Sequence, residues 1–132
     1  MTAATTARKN TSRRFPAQVQ RAIAAVQDRK AADVVVLDLR PVEAFADFFL
    51  VCTGQNTPQI KAISDSVQAT LAEKGLKPAH IEGYEHAGWI LLDYFDLIVH
   101  IFSPEARAFY ALDRLWGNAK RIEVPDPPPP HA

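Results

Sequence analysis

The sequence has little of what would assign it to several protein classes. A single cysteine, Cys52, excludes an intramolecular disulfide, favours a reducing compartment and predicts a cytoplasmic location. Apolar runs stay far below the roughly 18 residues that a membrane span requires, so we expect a soluble protein with no membrane partner. The 15 basic and 15 acidic residues cancel, so overall charge identifies no partner.

Patterns that would indicate enzymatic chemistry are also missing. The four histidines share no metal-ligand spacing, and no Asp-x-Asp or Glu-x-Asp pair is present to hold two metal ions. We therefore predict no catalytic residue, no metal and no cofactor. Cys52 lies in an apolar run and is expected to be a small core residue, with a nucleophilic pair of Cys52 and His100 as the alternative.

The charges that are present divide the chain into three parts. Residues 1–15 have four basic residues and no acid, whereas residues 16–124 hold 11 basic and 14 acidic residues. Residues 125–132 contain five of the ten prolines. We predict a flexible basic arm over 1–15, one folded domain over 16–124 and a proline-rich disordered tail over 125–132. A short organelle transit peptide is the alternative for the arm.

Hydrophobic periodicity predicts the element order α, β, β, α, β, β, β, α. The first helix begins at Pro16, and the near-continuous apolar runs 34–39 and 47–53 are typical of strands covered on both faces. A second helix is capped by Thr57, begins with Pro58 and closes at Gly75, with Leu76 folding back. Its apolar stripe is expected to pack on one side only and comprises Ile60, Ile63, Val67 and Leu71. This order predicts an α/β or α+β domain, with a mixed five-stranded sheet and flanking helices.

The last two predicted strands form a hairpin with two different faces. Segments 89–94 and 97–102 flank Phe95 and Asp96, and one face of this hairpin is purely apolar, so it belongs to the core. The other face, called the mixed face below, is either covered by a helix or offered to a partner. It carries Trp89, Leu91, Asp93, Ile98, His100 and Phe102.

A third helix is predicted to begin at Ser103 and Pro104 and to end before Gly117. Its apolar stripe is expected to face the sheet, which leaves Tyr110 on the solvent side beside Arg107 and Arg114. The stripe comprises Ala108, Phe109, Leu112, Leu115 and Trp116.

Several segments, in order, resemble the ribosomal silencing factors, also called Iojap-related proteins. They are ADVVVLDL (32–39), ADFFLVCTG (46–54), QIKAISDS (59–66), EGY (82–84), GWILLDY (88–94), VHIF (99–102) and RAFYALDRLW (107–116). The resemblance spans residues 17–124 and implies the nucleotidyltransferase fold without its catalytic residues. Two residues depart from the family pattern. Phe95 stands where glycine is usual in the hairpin turn, and Asp113 stands where glutamate is commoner.

The resemblance also implies a function. Members bind the large ribosomal subunit through its protein numbered fourteen and block joining of the small subunit, which represses translation. A homodimer is implied as well, and the basic arm is a candidate for weak contact with ribosomal RNA, unless it is only a solvated terminus. The alternative is a nucleotide-binding or nucleotidyltransferase-like enzyme, although Gly54 is a lone glycine where such an enzyme needs a glycine-rich loop.

Candidate partner-binding residues come from the mixed face and from one loop. Trp89, Asp93 and His100 combine aromatic area with a carboxylate, which suits a basic protein surface. Two alternatives stay open: Trp89 packs beneath the third helix, and His100 is a hydrogen-bonded histidine that holds the hairpin. Further candidates are Tyr84 and Glu82, around the loop 83–88, and Tyr110 on the third helix.

Overall fold

The computed structural model describes residues 15–42, 44–110 and 119–127, without the side chain of Tyr110. These residues fold into a six-stranded mixed sheet with flanking helices, which confirms the predicted mixed α and β class. In chain order the elements are α1 (Ala17–Asp28), β1 (Ala32–Asp38), a 3-10 turn (Arg40–Val42), β2 (Phe48–Thr53), α2 (Thr57–Ala72), β3 (His80–Glu82), β4 (Trp89–Asp93), β5 (Leu97–Phe102), α3 (Pro104–Tyr110) and β6 (Lys120–Glu123).

The predicted count of five strands was wrong by one. The additional strand is β6, a Lys-Arg-Ile-Glu segment that pairs antiparallel with β1 at one edge of the sheet. Its only apolar residue, Ile122, packs against the core, while the charged residues are exposed. An exposed edge strand needs no apolar run, and charges on it hinder pairing with other chains, so hydrophobic patterning does not reveal it.

The sheet order is β3-β4-β5-β2-β1-β6, and its centre is completely buried. Strands β2 and β5 pair in parallel, and every residue of both strands is buried. All other neighbouring strands are antiparallel. The apolar runs predicted to be covered on both faces are confirmed in β1 and β2, since residues 34–39 and 48–53 are all buried and contribute to a cluster on each side of the sheet.

Helices α1 and α2 cover one face of the sheet. The apolar hairpin face belongs to the core, as predicted, in the same cluster as the buried residues of both helices, and the stripe predicted for α2 is buried. The residues of that stripe are Ile60, Ile63, Val67 and Leu71. Tyr94 also faces this core, where burial raises its pKa to about 12 and its buried hydroxyl has no hydrogen-bond partner among the described residues.

The ends of α2 follow the predicted chemistry with a shift of one residue. Asn56, rather than Thr57, is the N-cap, and its side-chain oxygen accepts a 2.9 Å hydrogen bond from the Gln59 N–H. Asparagine is the better cap of the two, because its side chain more readily accepts a bond from the first turn. At the other end Gly75 adopts φ +76°, and Leu76 folds back to donate to the Leu71 carbonyl, as predicted.

The folded part of the chain extends slightly beyond the predicted boundaries. Phe15, which was assigned to the arm, is buried and packs edge-on against Phe48 with ring centroids 6.1 Å apart. Gln27 donates a 2.9 Å hydrogen bond to the carbonyl of Pro125. The predicted arm before Phe15 and most of the predicted tail lie outside the described residues.

The packing face predicted for the third helix was wrong in its first two turns. Ser103 caps α3 as predicted, but Ala108 and Phe109 are exposed, Phe109 by 80%. Arg107 is half-buried instead, because it donates a 2.9 Å hydrogen bond to the Thr53 hydroxyl. The prediction assumed that the charged residues of the helix face solvent. Arg107 does not, because its long side chain reaches a hydrogen-bond acceptor in the sheet. Leu112, Leu115 and Trp116 lie outside the described residues.

Candidate functional site

The mixed face is assembled by the register of the hairpin. Trp89 lies opposite Phe102, Leu91 opposite His100 and Asp93 opposite Ile98. Because directly opposed residues of an antiparallel pair point to the same face, these six side chains lie together as predicted. They border a second buried cluster that includes Phe49 and is contacted by the loop after β1 and by Ala106 of α3.

A hydrogen bond fixes the tryptophan of this face. Trp89 Nε1 donates to His100 Nδ1 at 3.0 Å, and the Trp89 ring lies 5.0 Å from that of Phe102. The bond requires an unprotonated Nδ1, which is consistent with burial lowering the pKa of His100 to about 3. His100 therefore holds the indole in one orientation. The half-buried Trp89 keeps part of its surface open.

His100 itself is enclosed. It is 4% exposed, and its ring lies 4.6 Å from that of Phe49. Its second nitrogen, Nε2, is buried and has no hydrogen-bond partner in the described part of the chain. This geometry favours the alternative in which His100 holds the hairpin, and it gives Trp89 both packing and exposed surface.

Asp93 stabilises the hairpin turn. Its Oδ1 accepts a 2.8 Å hydrogen bond from the Phe95 N–H, and the Asp96 N–H donates to the Tyr94 carbonyl at 2.9 Å. Phe95 adopts φ +69°, the left-handed conformation for which glycine is better suited. The chain thus forms a tight turn despite its departure from the family pattern, and Asp93 is held beside the turn, half exposed.

The edge strand β3 extends the mixed face with a second acidic residue. His80 lies opposite Asp93 and Glu82 lies opposite Leu91, and both β3 side chains are exposed. His80 Nε2 and Glu82 Oε2 are 3.4 Å apart. Residues 78–106 contain five acidic residues and no lysine or arginine, so this part of the chain is locally negative although the whole chain is neutral.

Tyr84 lies on the other side of the sheet. Its hydroxyl donates to Asp65 Oδ1 of α2 at 3.0 Å, and the Lys61 ammonium lies 5.2 Å from its ring centroid. The hydrogen bond to Asp65 raises the pKa of Tyr84. The structure therefore brings Trp89, Asp93, His100 and Glu82 together but ties Tyr84 to α2. The side chain of Tyr110 lies outside the described residues.

Two exposed aromatic residues near this site were not predicted. Phe45 is 76% exposed and its ring lies 6.0 Å from that of Phe49, while Phe95 is 71% exposed. Phe45 lies in the linker between β1 and β2, where no periodicity defines a face. The phenylalanine at position 95, where the family pattern has glycine, is the sequence feature that could have indicated an exposed aromatic ring in the turn.

The structure gives no support to nucleophilic chemistry at Cys52. Cys52 belongs to the cluster under α1 and α2, whereas His100 faces the opposite side of the sheet, so the alternative Cys52–His100 pair was wrong. Burial raises the pKa of the Cys52 thiol to about 12. Within the ranges that the structure describes, no three His, Cys, Asp or Glu side chains could share a metal ion, and no helix could span a membrane.

Gly54 is explained by packing alone. A Cβ atom at this position would lie 2.6 Å from Cγ1 of Ile60, so the close approach of β2 to α2 requires glycine.

Comparisons with known proteins agree with this architecture. The family model of the ribosomal silencing factor during starvation matches residues 12–132. The chain belongs to the ribosomal silencing factor family. A ribosomal silencing factor of Halalkalibacterium halodurans is 41% identical over 106 residues, which are 80% of this chain and 91% of that protein. Another from Bacillus subtilis is 37% identical over 103 residues, which are 78% of this chain and 87% of that protein.

A solved crystal structure has the same fold as this chain. The crystal structure of a Chromobacterium violaceum protein superposes with a TM-score of 0.74 at 32% identity, covering 87% of this chain and 96% of that one. The resemblance found in the sequence is therefore confirmed. Membership of the silencing factor family supports a role in translation regulation.

Proposed function

We propose that this chain is a non-enzymatic translational repressor that docks on the large ribosomal subunit. It binds through the subunit protein numbered fourteen and excludes the small subunit sterically, as the family resemblance implies. The single observation that carries the proposal is the mixed face, where a fixed, half-exposed Trp89 shares one side of the sheet with the carboxylates of Asp93 and Glu82.

The geometry suits a basic protein surface. The bond from Trp89 Nε1 to His100 fixes the indole before binding, so little side-chain entropy is lost when a partner covers it. Asp93 Oδ1 is occupied by the turn, which orients the carboxylate without neutralising its charge. Lysine and arginine side chains would pair with the acids while an apolar part of the partner covers the ring.

The test measures binding of the full chain to purified large subunits and the inhibition of subunit joining. Asp93→Arg reverses the charge and should weaken binding at least about 30-fold, since losing one member of a desolvated charge pair costs about 2 to 5 kcal/mol. Asp93→Asn keeps an oxygen that can accept from the Phe95 N–H but removes the charge, so it should weaken binding without disturbing the turn. Glu73→Arg, an equal charge reversal on exposed surface at the end of α2, is the matched control.

Thermal melting of each variant separates binding from folding. If Asp93→Arg melts like the wild type and still binds large subunits with wild-type affinity, the mixed face is not the docking surface. If the wild-type chain fails to bind large subunits and instead binds a nucleotide with magnesium in a calorimetric titration, the enzyme alternative replaces the proposed function.

A further inference from the structure

Two exposed phenylalanines lie at the turn end of the sheet. Phe95 occupies the tip of the β4–β5 hairpin and is 71% exposed, and Phe45 precedes β2 and is 76% exposed. Singly exposed apolar residues are normal on protein surfaces. Two large exposed aromatic rings at the same end of a sheet indicate a binding surface more strongly than one exposed ring does.

Backbone hydrogen bonds bring the two segments together. The Asp96 carbonyl accepts from the N–H groups of both Asp47 and Phe48, each at 2.9 Å. Phe95 is one residue from that shared carbonyl, and Phe45 is two residues from Asp47. The two aromatic positions are therefore neighbours across the loop and the turn. Phe95 is also linked to the mixed face, because its N–H donates to Asp93.

The conformation of Phe95 is unfavourable for the free chain. A bulky L-residue at φ +69° is strained, and glycine would relieve that strain. The ring is largely exposed, so it buries little area that would offset the strain within the domain. Among the described residues, burial of the ring therefore does little to offset the strain.

The charge around the two rings selects the kind of partner. Asp47 and Asp96 are exposed and flank the rings, and Asp93 lies beside the turn. The nearby cation, Arg40, is already engaged: its Nε and Nη2 atoms donate to Asp38 at 2.9 and 2.7 Å. A phosphate backbone would be repelled by these carboxylates. The charged group of an arginine or lysine would find both a carboxylate and an aromatic ring here.

We propose that Phe95 and Phe45, flanked by Asp96 and Asp47, form a clamp for a basic side chain of the ribosomal protein that docks on the adjacent mixed face. The clamp rests on the proposed function and adds a second contact to it, beside Trp89 and Asp93. The guanidinium or ammonium group lies against an aromatic ring and pairs with a carboxylate.

The test compares three truncations of exposed phenylalanines in the full chain. Phe95→Gly removes one ring of the clamp and should relieve strain, so a loss of binding in a variant that melts no lower than the wild type is ascribed to the ring. Phe45→Ala removes the other ring. Phe109→Ala is the matched control, since Phe109 is equally exposed on α3, which follows the opposite end of β5. Affinities are measured for large subunits and for the isolated subunit protein numbered fourteen, with thermal melting of each variant.

Phe95→Gly and Phe45→Ala should each weaken binding to both probes by about 10-fold, within the range for a cation held against an aromatic ring, while Phe109→Ala binds like the wild type. Wild-type affinity of both clamp variants, with Asp93→Arg still defective, overturns the clamp and leaves the docking face standing. Loss with large subunits but not with the isolated protein assigns the rings to ribosomal RNA and also overturns the clamp. If the wild type binds neither probe, the proposed function fails and the clamp with it.

Discussion

The buried histidine of the mixed face should make the domain less stable as the pH falls below about 6.5. His100 is 4% exposed, and burial lowers its pKa from the ordinary histidine value of about 6.5 to about 3. Between these values the unfolded chain binds a proton that the folded chain does not. The stabilisation is fully present above about pH 6.5 and is lost as the pH falls toward 3.

The magnitude follows from linkage between protonation and folding. With those two pKa values, the free energy of unfolding falls by about 2 kcal/mol between about pH 7 and pH 5 from this one residue. The pKa of His100 is much lower in the folded chain than in the unfolded chain for two reasons. The folded imidazole must stay neutral at Nδ1 to accept from Trp89 Nε1 at 3.0 Å, and protonation would place a charge beside Phe49.

The assay is urea denaturation of the wild type and of His100→Asn at a series of pH values from 7 to 5. Asparagine does not titrate, and its side-chain oxygen can occupy roughly the place of Nδ1 to accept from Trp89. It leaves a cavity, which lowers stability by a constant amount at every pH. The difference between the two curves isolates His100, since the other titrating groups are shared.

We expect the wild type to lose about 2 kcal/mol more than His100→Asn over this range. Trp89→Phe removes the hydrogen-bond donor but keeps the histidine, so it should be less stable at pH 7 and retain a dependence on pH. Parallel loss of stability in the wild type and His100→Asn would refute the argument, because it would mean that the imidazole is protonated as readily in the folded chain as in the unfolded one.

Three further predictions concern other parts of the fold. Leu71→Ala should lower the free energy of unfolding by about 2 to 5 kcal/mol, because Leu71 of α2 is fully buried against the sheet, whereas Glu73→Ala at an exposed position should change it by less than about 0.5 kcal/mol in the same urea titration. Tyr94→Phe should leave stability unchanged or raise it by about 1 kcal/mol, because no group in the described part of the chain bonds to the buried hydroxyl; a clear loss would reveal a partner. Phe95→Gly should raise the melting temperature by relieving about 1 kcal/mol of backbone strain, and a lower value would show that the ring packs in the folded chain.

The sequence predicts the hairpin well because two independent constraints agree there. Alternation with a period of two assigns each side chain to a face, and the short connection through Phe95 and Asp96 sets which residues oppose each other. The observed pairing of Leu91 with His100 follows from both. Helix α2 is predictable for a similar reason, since its apolar stripe and its terminal signals at Pro58 and Gly75 define the same segment.

Other elements depend on contacts that periodicity does not record. Strand β6 is held by backbone pairing with β1 and not by burial of an apolar face. Its charged sequence therefore lacks the hydrophobic alternation by which a strand is predicted. The rotation of α3 is set partly by the hydrogen bond from Arg107 to Thr53, which lies 54 positions away in the chain. Distant acceptors of this kind turn a residue that is expected in solvent toward the sheet.

The candidate site shows the same division between regular and irregular structure. Trp89, Asp93 and His100 lie on strands or at a strand end, where alternation fixes their common face, and the structure places them together. Tyr84 follows a strand within a loop, where no period applies, and its bond to Asp65 draws it to the helical side. The face on which a strand residue lies can therefore be predicted from the sequence. The position of a loop residue such as Tyr84 depends on its hydrogen-bond partner within the chain and is known only from the structure. For this reason Asp93→Arg is the decisive substitution for the proposed function, while a defect caused by Tyr84→Phe would report first on the attachment of the loop to α2.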